Sequence, residues 1–148
     1  MTVIEVRPGT PEYERSIDLR NEVLRIPLGQ RITDDERETD LVARHFALVE
    51  DGVTIACAQL QPRPSGWQVR QVAVRADRQG EGLGARIMAA VEAAAGPGEL
   101  FLHARKPVIA FYERIGWTAV GDEFVEVGIP HRRMVKTLRA DECGNPGR

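Results

Sequence analysis

The chain has 148 residues, 43% hydrophobic and 28% charged, with a formal net charge of −2. That length suits one compact core rather than two. The slightly acidic balance, with arginines spread along the chain and no interleaved aromatics, excludes the basic footprint of a nucleic-acid binder.

TVIEVR alternates apolar and polar residues ahead of the turn residues PGTP, which predicts a short first strand. Pro11 suits the first position of a helix, in which Tyr13, Ile17, Arg20 and Leu24 share one stripe with Leu19 and Val23 beside it. RIPLGQRITDDERETD reads as a polar loop with one helical turn in its acidic part. HFALVE and VTIACAQLQ flank Asp51-Gly52, a tight hairpin signal. PRPSG turns the chain again, and WQVRQVAVRA completes an antiparallel meander. From Leu83, apolar residues at 83, 87, 90, 91 and 94 predict a helix with one buried face, stopped by GPGE. LFLHA follows as a strand. Pro107 then opens a second helix, with Val108, Phe111, Tyr112 and Ile115 on one stripe and Gly116 as terminator. WTAVG and HRRMVKTL are predicted final strands around a loop, DEFVEVGIP. A single domain over residues 1–139 leaves 140–148 as a frayed tail.

The two cysteines, Cys57 in an apolar run and Cys143 near the carboxyl end, suggest neither a disulfide framework nor a metal cluster, so no metal site is expected. No stretch approaches the roughly 18 apolar residues of a membrane span, and MTVIEVRPGT lacks the pattern of a signal peptide. A cytoplasmic protein without membrane or nucleic-acid partners is predicted.

Three glycines at alternate positions, Gly80, Gly82 and Gly84, separate the third meander strand from its helix. A strand that runs through a glycine turn into a helix presents amides without carbonyl partners at the positive end of the helix dipole, a site for anions. A turn with no ligand is the plainer alternative. A nucleotide triphosphate P-loop needs Lys and Ser or Thr after its last glycine, where Ala85 and Arg86 stand. A dinucleotide fingerprint needs another glycine spacing and an acidic residue near a second parallel strand, where LFLHAR stands.

Gln79-Gly80-Glu81-Gly82-Leu83-Gly84 resembles the Q/R-x-x-G-x-G/A pyrophosphate signature of the GCN5-related N-acetyltransferases. VAVRADRQG resembles that family's cofactor strand, and FYERIGW its F-Y-x-x-x-G-F/W helix ending. The resemblance spans roughly residues 2–138. LRNEVL with its acidic loop, LHA, and EFVEVGIPHRRM resemble the ElaA-like subgroup. Two departures stand out: Arg105-Lys106-Pro107 replaces an asparagine near the second helix, and VLRIPLGQ replaces VF-x-x-EQ.

The resemblance implies an α/β fold of the α+β type: a mixed, largely antiparallel sheet of about six or seven strands with helices on both faces. It implies transfer of an acetyl group from acetyl-CoA to a primary amine of a small-molecule or peptide acceptor, by direct attack on the thioester. A non-catalytic acyl-CoA-binding or regulatory module is the alternative, and a homodimer is compatible with either. The amides of Gln79, Gly80, Glu81, Gly82, Leu83 and Gly84 would hold the diphosphate, with Arg78 or Arg75 as charge partner. The strand at Val72, Ala73 and Val74 would hold the pantetheine arm.

An alkyl amine has a pKa near 10, so less than about 1% is unprotonated at neutral pH, and a base or a dry pocket is needed. The candidates are His131, Glu126, Glu123, His103 and His45, with His131 singled out by the GIPH match and Glu126 kept as a second choice; a histidine that merely opens a terminal strand is the plainer alternative. Tyr112 occupies the family's helix-tyrosine slot and would protonate the departing thiolate. Arg20, Leu24 and His45 are the expected acceptor wall. The acidic residues Asp34, Asp35, Glu36, Glu38 and Asp40 either attract a cationic amine or form a solvated face.

Overall fold

The computed structural model describes residues 1–140. Seven strands, β1 (Thr2–Val6), β2 (Arg44–Glu50), β3 (Val53–Arg63), β4 (Gly66–Val74), β5 (Gly98–Arg105), β6 (Thr118–Glu126) and β7 (Ile129–Leu138), form one sheet in the order β1-β2-β3-β4-β5-β7-β6. All neighbours are antiparallel except β4 and β5. Helices α1 (Pro11–Arg20) and α2 (Asp34–Thr39) lie toward one face, and α3 (Leu83–Ala95) and α4 (Ile109–Arg114) toward the other. The sheet size, its mixed pairing and the two-sided helices match the expected α+β architecture.

The main core lies on the α3 and α4 side, where Ile87, Met88 and Val91 pack on Leu48, Leu60, Leu100 and Met134, all essentially without solvent contact. Strand alternation then assigns the faces. Leu100, Leu102 and Ala104 of β5 belong to that core, so Phe101, His103 and Arg105 face the side of α1 and α2.

Two segments differ from expectation. The first helix ends at Arg20 and continues as a π-helical turn, Asn21–Arg25, and a 3-10 turn, Ile26–Leu28, so Leu24 lies in an irregular corner. DEFVEVGIP is not a loop: β6 and β7 run through it to a hairpin at Val127 and Gly128, both at positive φ (46° and 74°). A valine is a poor residue for that conformation, and for this reason periodicity and turn chemistry gave no hairpin signal there. The expected tail beyond Ala140 lies outside the described residues.

A buried polar hub fastens α1 to the sheet. The Asp40 carboxylate accepts hydrogen bonds from Tyr13 Oη (2.6 Å), Arg20 Nη1 (2.7 Å) and Gln59 Nε2 (2.8 Å). Its main-chain carbonyl accepts from His45 Nε2 (2.8 Å). Arg20 and Asp40 are each only 3% exposed at the side chain, so either charge alone would be costly.

Two predictions follow from these contacts. Gly66 has φ +133°, and a Cβ there would meet the Glu99 carbonyl oxygen at 2.8 Å where β4 joins β5. Gly66→Ala should lower unfolding free energy by about 2 kcal/mol in urea titration; an unchanged midpoint would show that the junction yields freely.

The hub should also titrate. His45 is held below its ordinary pKa because burial outweighs the hydrogen bond to the Asp40 carbonyl. The unfolded chain therefore binds that proton more readily, and stability falls as pH drops below about 6.5. For Asp40 the largest effect, desolvation, raises the pKa, but the hydrogen bonds from Arg20, Tyr13 and Gln59 together outweigh it and the net shift is down. Its contribution is full above about pH 3.9 and is lost as pH falls through the folded value. Urea titrations across pH should show both declines, with His45→Gln removing the upper and Asp40→Asn the lower. Asp40→Asn should also cost about 3 kcal/mol at neutral pH, by leaving Arg20 uncompensated.

Candidate active site

β4 and β5 pair at only two positions, Trp67 with Leu100 and Gln68 with Phe101, and then separate. On its other edge β4 stays paired to β3, with one extra residue: Cys57 opposes Ala73 and Gln59 opposes Arg70. The extra residue is a β-bulge, with Gln71 at φ +57°. The Gln71 carbonyl accepts a long contact from Cys57 Sγ (3.7 Å). Beyond the bulge, Val72 and Val74 pack toward the main core and Ala73 toward Leu19 and Cys57. The backbone of Val72, Ala73 and Val74 thus borders the opening between the two strands.

The chain leaves β4 through Arg75 and a 3-10 turn, Ala76–Arg78, into the glycine segment. From Gln79 through Ala85, among the described residues, no main-chain amide donates a hydrogen bond to a main-chain or side-chain acceptor. Gly82 is the N-cap of α3, left-handed (φ 78°) and without a side-chain cap. Gly80 (φ 85°) and Gly82 have open space where a Cβ would stand. Together they form an uncapped, outward-facing set of donors of the kind that holds phosphate oxygens.

Gly84 differs from the other two. Its φ is ordinary, and a Cβ there would meet the Phe111 ring at 3.0 Å, so this glycine serves the approach of α4 to α3. Arg78, expected as a free charge partner, is held by Glu50 (2.9 Å) and Glu81 (2.9 Å), and Arg75 is held by Asp77 (2.7 Å).

Tyr112 lies on the α3 and α4 side, 8% exposed and edge-on to Phe111 and Trp117. Burial alone pushes its hydroxyl up to about 12, so it stays protonated and able to donate at neutral pH. On the opposite face His103, Phe124, Glu126 and His131 form one cluster. His131 stacks on Phe124, His103 Nδ1 is 3.2 Å from Glu126 Oε1, and His131 Nε2 is 3.7 Å from Glu126 Oε2. His131 Nδ1 donates to the Ile129 carbonyl (2.7 Å). With Nδ1–H committed to that carbonyl, Nε2 is the ring nitrogen turned toward Glu126. Glu123 pairs with Lys106 (3.4 Å) instead.

The predicted acceptor wall separates into parts. His45 is buried inside the hub, edge-on to Tyr13, rather than on a wall. Leu24 is half-buried against Leu19, Cys57 and Ala73. Arg20 belongs to the hub and also lines a cavity of about 220 Å³ with Asp35, Glu36, Asp40, Arg70 and Gln71. Two of the five residues of the acidic run are engaged: Glu36 forms the capping box of α2 with Thr33 and pairs with Arg25, and Asp40 is the hub, while Asp34, Asp35 and Glu38 are exposed. Arg70 and Gln71 had drawn no notice as members of a regular strand. The bulge turns both toward this cavity, and nothing in their side chains announces a bulge.

A family model described as an acetyltransferase (GNAT) domain matches residues 25–138. The fold is similar to that of ElaA from Escherichia coli, with a TM-score of 0.80 at 18% identity, covering 91% of this chain and 98% of that one. It is similar also to an acyl-CoA N-acyltransferase from Pseudomonas aeruginosa, with a TM-score of 0.79 at 24% identity, covering 92% and 99%. In sequence it is 24% identical over 115 residues to YjcF of Bacillus subtilis, described as an uncharacterised N-acetyltransferase, covering 75% of this chain and 79% of that protein. With a family match over most of its length, and a split sheet beside an uncapped helix, the chain belongs to the GNAT acetyltransferases.

Proposed function

We propose that the protein transfers the acetyl group of acetyl-CoA to a primary amine by direct attack of the amine on the thioester. The observation that carries this reading is the separation of β4 from β5 directly before the uncapped amides at Gln79–Ala85. These features fit the two ends of one extended ligand. The amides suit the diphosphate, and the free edge of β4 at Val72, Ala73 and Val74 offers main-chain groups to the amides of the pantetheine arm. Acetyl-CoA, when bound, supplies the activated acyl carbon.

The chain's own residues would then manage two protons. On one face of the opening, Glu126 and the Nε2 lone pair of His131 accept the proton that the amine must lose to become a nucleophile. On the other, the Tyr112 hydroxyl would give its proton to the departing sulfur and be restored, through solvent, by the second proton that the nitrogen sheds once the C–N bond has formed. Burial favours Tyr112 as a donor, since its own ionisation lies well above neutral pH. Among the described residues its hydroxyl makes no hydrogen bond, and the packing around it is aromatic.

Tyr112→Phe should lower kcat by about 100-fold, the low end for a positioned acid, with CoA affinity nearly unchanged by calorimetry. Wild-type turnover in that variant would remove Tyr112 from the mechanism. The base is identified by pH profiles of kcat/KM for Glu126→Gln and His131→Gln. One of the two should flatten the acidic limb, and an unaltered limb in both would refute the assignment.

A further inference from the structure

We infer that the cavity between α1, α2 and the β4 bulge receives a carboxylate carried by the acceptor amine, held by Arg70 and the free edge of Arg20. This rests on the acetyl-transfer reading and adds the class of acceptor to it.

Arg20 uses only Nη1 on Asp40. Its Nε and Nη2 atoms are buried and have no hydrogen-bond partner. These two atoms form one side of the planar guanidinium, the side whose parallel N–H bonds match the two oxygens of a carboxylate. Unpartnered buried donors on a charged group are costly, and Arg20 is among the residues lining the cavity.

Arg70 is half-buried and forms no ion pair among the described residues. Burial is the main influence on its guanidinium and lowers its pKa, with Arg63 and Arg20 adding repulsion and Glu126 and Glu36 opposing it. A nearby anion would reverse that penalty. Gln71, beside it, has its Oε1 buried without a partner, and its terminal amide reads equally with the NH₂ in that place. The bulge is what sets Arg70 and Gln71 side by side on this face.

The carboxylates around the cavity do not fill this role themselves. Asp40 is saturated by the hub, Glu36 is taken by Arg25 and the α2 cap, and Glu126 lies against His103. Asp35 remains, at the exposed rim. Apart from Asp35 and the Gln71 amide, the unengaged groups are the Arg20 edge and the Arg70 guanidinium, two cationic donors that favour an anionic distal group on the acceptor over a cationic one. A volume of about 220 Å³ suits a small group rather than a whole drug-sized molecule.

The test compares ω-amino acids from 3-aminopropanoate to 6-aminohexanoate with alkylamines and diamines of equal length, by calorimetry on the CoA-bound protein and by release of CoA thiol from acetyl-CoA. At least one amino acid should bind about tenfold tighter than its alkylamine, and the preference should collapse in Arg70→Gln and partly survive in Arg70→Lys. If no amino acid binds better than its alkylamine, or if the diamines bind best, the inference is overturned, while thiol release with any amine leaves acetyl transfer standing. Carboxylate-dependent binding without thiol release would sink the transfer reading and keep this one. Preference retained in full by Arg70→Gln would remove Arg70 from the site.

Discussion

A strand inside a sheet ordinarily satisfies main-chain donors and acceptors along both edges. β4 does so along β3, but along β5 only at Trp67 and Gln68. Past that point its edge is open in the middle of the molecule, where an unpaired backbone is costly unless a ligand or solvent completes it. The glycine turn and α3 follow at once, so the open edge continues into a row of unpaired amides. One departure from regular pairing therefore leaves a continuous run of unpaired main-chain groups. Tyr112 lies on one face of this sheet and the His131 and Glu126 cluster on the other.

The hub around Asp40 serves the same opening from a distance. It ties α1, through Tyr13 and Arg20, to β3, through Gln59, and to β2, through His45. A buried ion pair is weak evidence for added stability, because desolvation offsets most of its attraction. What it supplies here is position: with Nη1 committed to Asp40, the rest of the Arg20 guanidinium has one orientation. The acidic run of residues 34–40 is thereby an internal scaffold as much as a surface feature, with two of its members joined to arginines.

Much of the fold was legible because its signals are local. Asp51-Gly52 makes a hairpin with both residues at positive φ, and the apolar stripe from Leu83 makes α3. The glycine turn between β4 and α3 was legible because Gly80 and Gly82 are needed for conformation. Gly84 looked like a third member of the same set, but its backbone conformation is ordinary and its lack of a side chain makes room for a ring arriving from another helix. The features that escaped are those decided by tertiary pairing. The hairpin at Val127 is imposed by the β6–β7 register, and the bulge at Gln71 by β3. His45, on an apolar alternation, could equally have lined a pocket or closed a hub, and only the position of Asp40 separates the two.

The contact between Gly84 and Phe111 carries a consequence for how such a protein changes over time. A methyl group at 84 would sit 3.0 Å from the Phe111 ring, so a larger residue there obliges the ring to give way, and the two positions are expected to drift as a pair across related sequences. The helix bearing the tyrosine is in this way keyed to the helix that opens at the cradle, and neither can be redesigned without its counterpart.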